Sequence, residues 1–153
     1  MNAMLGLQAA GGLWNWAFAR RVDPARVRDA LSGVLSRPVL TFDAPPGGDA
    51  VRCDVWHVGG DFPTLADCYL APAGFVETTV ASAVAVRLQV SCLLADDSLD
   101  VTRYVLAEPD GTLRAVHVAE TAADDGPERR DLRTCTGTGP SCARGCGRSA
   151  TAA

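Results

Sequence analysis

The sequence predicts an α+β domain: a largely antiparallel sheet of about six or seven strands, two helices packed on it, and a disordered C-terminal tail. Three observations lead there. Several short runs alternate between apolar and polar residues, the two-residue period of a half-buried strand. Asp23-Pro24 is a helix-start signal, a capping carboxylate followed by a proline whose missing N–H costs nothing in the first turn. Pro109-Asp110-Gly111 lies between two alternating runs, and Asp-Gly suits a hairpin turn that needs positive φ.

At 153 residues the chain suits one domain with a single core. Residues 1–12 read as a loose extension, 13–121 as a single α+β domain, and 122–153 as the tail. Residues 13–19 alternate so that Trp14, Trp16 and Phe18 share one face, which predicts a first strand packed on a core. After Asp23-Pro24, the residues Val27, Ala30, Leu31, Val34 and Leu35 follow the spacing of one buried helix face, and Pro38 ends it. Residues 39–43 predict a short strand, closed by a turn rich in proline and glycine. In the next strand, 51–58, Val51, Cys53, Val55 and His57 face one way and Arg52, Asp54, Trp56 and Val58 the other. Gly59-Gly60-Asp61 can turn the chain back into a strand at 65–71, although a helical turn from Asp61-Phe62-Pro63 competes with that hairpin.

Residues 77–94 fit two periods. Val80, Ala81, Val84, Ala85 and Leu88 share a helical face, while Val84 to Leu94 also alternates. Length favours a helix to about Leu88 and then a buried strand at 90–95, with one long strand as the alternative. The hairpin around Asp110-Gly111 joins 101–108 to 112–119. Beyond Thr121 large apolar residues almost vanish, so the tail lacks the surface to order itself. Its composition also fits GC-rich DNA read in a shifted frame.

All 14 basic residues are arginine and Asp outnumbers Glu by 14 to 4, a bias that reads as GC-rich coding. Residues 1–126 carry 9 Arg against 16 acidic residues, a charge of −7, while 127–153 carry 5 against 2, a charge of +3. An acidic body repels nucleic acid and anionic membranes and suits a basic protein. No run approaches the ~20 apolar residues of a membrane span. Ala17-Phe18-Ala19 resembles a signal cleavage site, but no basic segment precedes the apolar run, so the cytoplasm is the expected compartment.

Candidate chemistry is sparse. Cys135, Cys142 and Cys146 are spaced C-x6-C-x3-C with no nearby histidine, which is not a zinc pattern. Cys53, Cys68 and Cys92 fall on apolar strand positions, where a thiol behaves as a small hydrophobe. His57, Asp61, Asp67 and Cys68 could form a thiol-imidazole-carboxylate set, yet nothing local favours a thiolate, and His57 and His117 sit on apolar strand faces. Gly11-Gly12 and Gly59-Gly60 lack the context of a phosphate loop. Asp96, Asp97 and Asp100 lack the spacing of a calcium loop and read as a solvated turn or a docking surface. No catalytic residue, metal ligand or cofactor is expected.

The segments WHVGGDFPTLADCYL and VSCLLADDSLDVTRYVLAEPDGTLRAVHV resemble small bacterial immunity-like proteins of polymorphic toxin systems, over residues 13–121. That resemblance implies a cytoplasmic, non-enzymatic protein that binds and blocks a cognate toxin. No binding residue carries over from it. The residues themselves nominate Asp61, Asp96, Asp97 and Asp100 as an acidic contact surface, with Trp56 as an aromatic anchor. The alternative is a small enzyme or ligand-binding domain with a pocket beside the 57–68 hairpin. Oligomeric state is not legible.

Overall fold

The structure, a computed structural model, describes residues 12–45, 48–96 and 101–136. Its first strand, β1 (Gly12–Phe18), buries Trp14, Trp16 and Phe18 on one side, as the alternation predicts. The two indoles stack with centroids 5.5 Å apart, and Phe18 meets Trp16 edge-on. Helix α1 (Pro24–Leu35) starts where the cap signal places it, with the Asp23 carboxylate accepting from the Ala25 N–H at 3.0 Å. It buries Val27, Ala30, Leu31 and Leu35, and it ends because Ser36 turns left-handed, with φ of 54°.

Strand β2 (Val39–Leu40) is shorter than the expected 39–43. Strands β3 (Val51–His57) and β4 (Thr64–Ala71) form the expected hairpin. Its ladder continues past His57, where the Val58 N–H donates to the Pro63 carbonyl at 2.8 Å, so the competing helical turn is not adopted. The two-period segment divides into helix α2 (Glu77–Leu88) and strand β5 (Cys92–Ala95). Gln89 separates them in the left-handed conformation, with φ of 56°. Strands β6 (Arg103–Ala107) and β7 (Leu113–Thr121) flank the Asp110-Gly111 turn.

Two expectations need correcting. Among the described residues the sheet has eight strands rather than six or seven, and the eighth, β8 (Glu128–Thr134), lies inside the segment expected to be a disordered tail. The strand is built from ERRDLRT and shows no apolar alternation because it is an edge strand, held by its ladder to β7 and by charged side chains. Residues 137–153, the rest of the expected tail, and most of the N-terminal extension lie outside the described residues.

The strand order is β2-β3-β4-β1-β5-β6-β7-β8, antiparallel throughout except for β2 beside β3. Within it, β1-α1-β3-β4-α2-β5 gives the order β3-β4-β1-β5, the split β-α-β pattern of ferredoxin-like folds. The strand β2 is added at one edge and the β6-β7-β8 meander at the other. Both helices pack against each other, and their buried residues join Trp14, Trp16, Phe18, Cys53, Cys68 and Leu94 in one core.

The opposite face of the sheet has its own core: Ala17, Val58, Phe62, Leu65, Leu93, Leu106, Val116 and Val118. No helix among the described residues covers it. The sheet covers it instead by curling, so that β8 reaches the loop after β3. Gly60 and Arg129 form a bridge, and the Asp61 N–H donates to the Arg129 carbonyl at 2.7 Å. Gly60 has φ of +88°, and a Cβ there would stand 2.8 Å from the Arg129 carbonyl oxygen, so the approach requires glycine.

Two substitutions test these assignments by urea denaturation. Gly60→Ala should lower stability by about 2 kcal/mol through backbone strain and loss of the β8 closure. Ser36→Gly should raise it by about 1 kcal/mol, because glycine accepts the left-handed cap without the Cβ penalty.

Candidate partner-binding face

The three nominated residues that are described, Trp56, Asp61 and Asp96, do not form one patch. Trp56 is half-buried against the second core and donates its indole N–H to the Asp125 carbonyl at 2.9 Å. Asp61 is exposed, but its carboxylate accepts from the Asp131 N–H at 3.3 Å, so both residues belong to the curl closure. Asp96 follows β5 toward the opposite end of the sheet, where it lies 3.3 Å from the Arg103 guanidinium. Asp97 and Asp100 lie outside the described residues.

The thiol-imidazole-carboxylate set is not assembled either. The His57 ring donates from Nε2 to the Val22 carbonyl at 2.8 Å. Cys68 faces Cys53 across the hairpin, with the sulfurs 3.2 Å apart. The His57 and Cys68 rungs are four residues apart along β4, about 13 Å at 3.3 Å per residue. The hydrogen bond that the Cys68 thiol shares with Cys53 raises the Cys68 pKa well above its ordinary value, and burial raises it further, which opposes a nucleophilic thiolate. Burial likewise pushes the Cys92 thiol well up, with Glu77 adding to it. Among the described residues no three His, Cys, Asp or Glu side chains gather as metal ligands. Cys135 is partly exposed, while Cys142 and Cys146 lie outside the described residues.

His117 is fully buried and hydrogen-bonded to the Thr102 hydroxyl at 3.0 Å. Thr64, which the alternation passes over, is the other buried polar residue among the described residues. Its hydroxyl accepts from the Val22 N–H at 2.9 Å and donates to the Arg20 carbonyl at 2.8 Å, tying the β1–α1 connection to the sheet.

The polar feature that the fold does assemble lies on the helix-free side of β3, β4 and β1. Strand register sets Asp54 opposite Asp67 and Asp67 opposite Asn15. Like charges facing each other across a ladder are unfavourable. Each carboxylate has a neutral partner: Asp54 accepts from the Phe42 N–H at 3.1 Å, and Asp67 accepts from the Asn15 amide at 2.5 Å. Neither makes an ion pair among the described residues. Nearby Arg52 is spent on the carbonyls of Thr41, Ala44 and Pro45. One rung further, Phe42 packs on Tyr69 at 5.2 Å with 59% of its surface exposed. Partial desolvation raises the Tyr69 pKa, and the charges of Asp67 and Asp54 raise it further.

Beside this face an open cleft of about 510 Å³ follows β3, lined by Arg28, Thr41, Phe42, Asp43, Asp54, Val55 and Trp56. It gathers two carboxylates, two aromatic rings and one arginine. Alternation places Asp54 and Trp56 on one strand face, yet pairing Asp54 with Asp67 requires one particular hairpin register. The residues of the Gly59-Gly60-Asp61 turn leave that register open.

Fold and face together define an α+β protein with a half-closed antiparallel sheet and an acidic, aromatic outer surface. No family model, curated protein or solved structure matches the chain. Among the described residues, no helix is long and apolar enough to cross a membrane.

The Thr64 staple is open to a direct test. Thr64→Val keeps the shape but leaves the Val22 N–H without its acceptor, and should cost about 2 kcal/mol in urea denaturation.

Proposed function

We propose that the chain is a non-enzymatic protein-binding domain that takes a basic protein on the face formed by Asp43, Asp54 and Asp67. The observation that carries this reading is the Asp54–Asp67 pair, two carboxylates set opposite each other with no cation between them among the described residues. Such an arrangement costs stability in the free protein and gains from a cationic partner. The charge of −7 over residues 1–126 favours the same partner at long range. The resemblance to immunity-like proteins gives the reading its specific form, neutralisation of a cognate toxin in the cytoplasm. The enzyme alternative loses its motivating feature, because His57 and Cys68 do not converge.

Co-expression with the product of each adjacent gene tests the toxin form. Wild-type protein should rescue growth from a toxic neighbour, and the double variant Asp54→Arg, Asp67→Arg should not; if no neighbour is both toxic and rescued, the toxin form is wrong. Asp54→Asn separates function from folding. It should raise stability by about 0.5 kcal/mol by relieving the like-charge contact while weakening rescue. A loss of stability in urea denaturation would mean that the pair serves the fold instead.

A further inference from the structure

Resting on the partner reading above, we propose that β3 takes an extended basic segment of that partner as an added strand along its outer edge. The hairpin's hydrogen-bond phase sets up the edge. Val58 bonds Pro63 directly opposite it, so the rungs Trp56–Leu65 and Asp54–Asp67 are hydrogen-bonded pairs. The intervening residues Val55 and His57 therefore turn their N–H and C=O groups away from β4. The strand β2 pairs only with Val51 and Arg52, so among the described residues those outward groups have no ladder partner.

The two edges of the sheet are treated differently. Strand β8 is guarded in two ways that block edge pairing: a register shift with Asp131 at φ of 62°, and charges on Glu128, Arg130 and Arg133. The part of β3 without a ladder partner on its outer side reads Val55-Trp56-His57, half-buried throughout and with no proline, bulge, lysine or arginine. The 510 Å³ cleft runs along its Val55 and Trp56, beside Asp54.

The side chains beside the edge choose the occupant. An added strand alternates its residues between the two faces of the sheet. On the helix-free side its side chains meet Asp43, Asp54 and the exposed ring of Phe42, which suit arginine or lysine. On the helix side they meet Val55 and the Arg28 stem, which suit an apolar residue and disfavour a second cation. The fitting segment is thus extended and alternates basic with apolar residues.

The probe is an acetylated, amidated heptapeptide of alternating arginine and valine, followed by tryptophan fluorescence and by amide exchange. It should bind, whereas a glutamate–valine heptapeptide should not, and the Val55 and His57 amides should exchange more slowly in the complex. Two further peptides carry N-methyl groups on all arginines or on all valines. One set faces β3 and should weaken binding about tenfold through lost backbone hydrogen bonds; the other should bind like the parent. Which set is affected reports the direction of the added strand. If both methylated peptides bind like the parent, or both weaken alike, strand addition is overturned while the partner reading stands on its co-expression test. Failure of the unmethylated arginine–valine peptide to bind also overturns strand addition.

Discussion

The fold depends on one backbone contact, the approach of Gly60 to Arg129. A sheet with helices on one face must cover the other face or leave it wet. Here the second face carries Leu93, Leu106, Val116 and Val118, and each such side chain gains about 1.5–3 kcal/mol on full burial. The sheet supplies its own cover by curling, and the curl closes only where backbone meets backbone. Around that point Arg129 lies over the Tyr104 ring and pairs with Glu120, which also accepts from the Tyr104 hydroxyl. Gly126, at φ of +137°, lets the β7–β8 connection pack against Trp56, Val58 and Leu65.

The extent of that cover also defines the candidate face. The rung through Trp56, Leu65, Ala17, Leu93 and Leu106 is apolar and lies under the curl. Two residues along the strands, the rung through Asp54, Asp67 and Asn15 is polar and lies at its rim, where Asn15 and Asp67 line a small pocket with Pro127 and Arg129. The boundary falls within about 7 Å along the strands. Trp56 sits on that boundary, so it acts in the closure and in the lining of the cleft at once.

Elements specified by neighbouring residues are legible in the sequence alone. Asp23-Pro24 and the apolar spacing after it locate α1, because a cap and a face are local properties. The same holds for the Asp110-Gly111 turn, whereas residues 77–94 fit two periods, and the structure chose between them by breaking the chain at Gln89. Strand β8 is not legible in this way, because a solvent-facing edge strand needs no apolar alternation; its partners are a ladder and charges contributed from elsewhere in the chain. Asp61 and Trp56 stand out in the sequence as contact chemistry, and the fold uses both in its closure.

The sequence by itself determined the α+β class, helix α1, the Asp110-Gly111 hairpin and the shared buried face of Trp14, Trp16 and Phe18, and it favoured α2 and the β3–β4 hairpin over their alternatives. Each follows from a period or a turn residue read over a few positions. The tertiary structure alone decided the curl, the second core, the eighth strand and the meeting of Asp54 with Asp67. Each of these depends on which distant backbones come within hydrogen-bonding reach. Register carries that information, and it emerges only when the whole sheet is assembled.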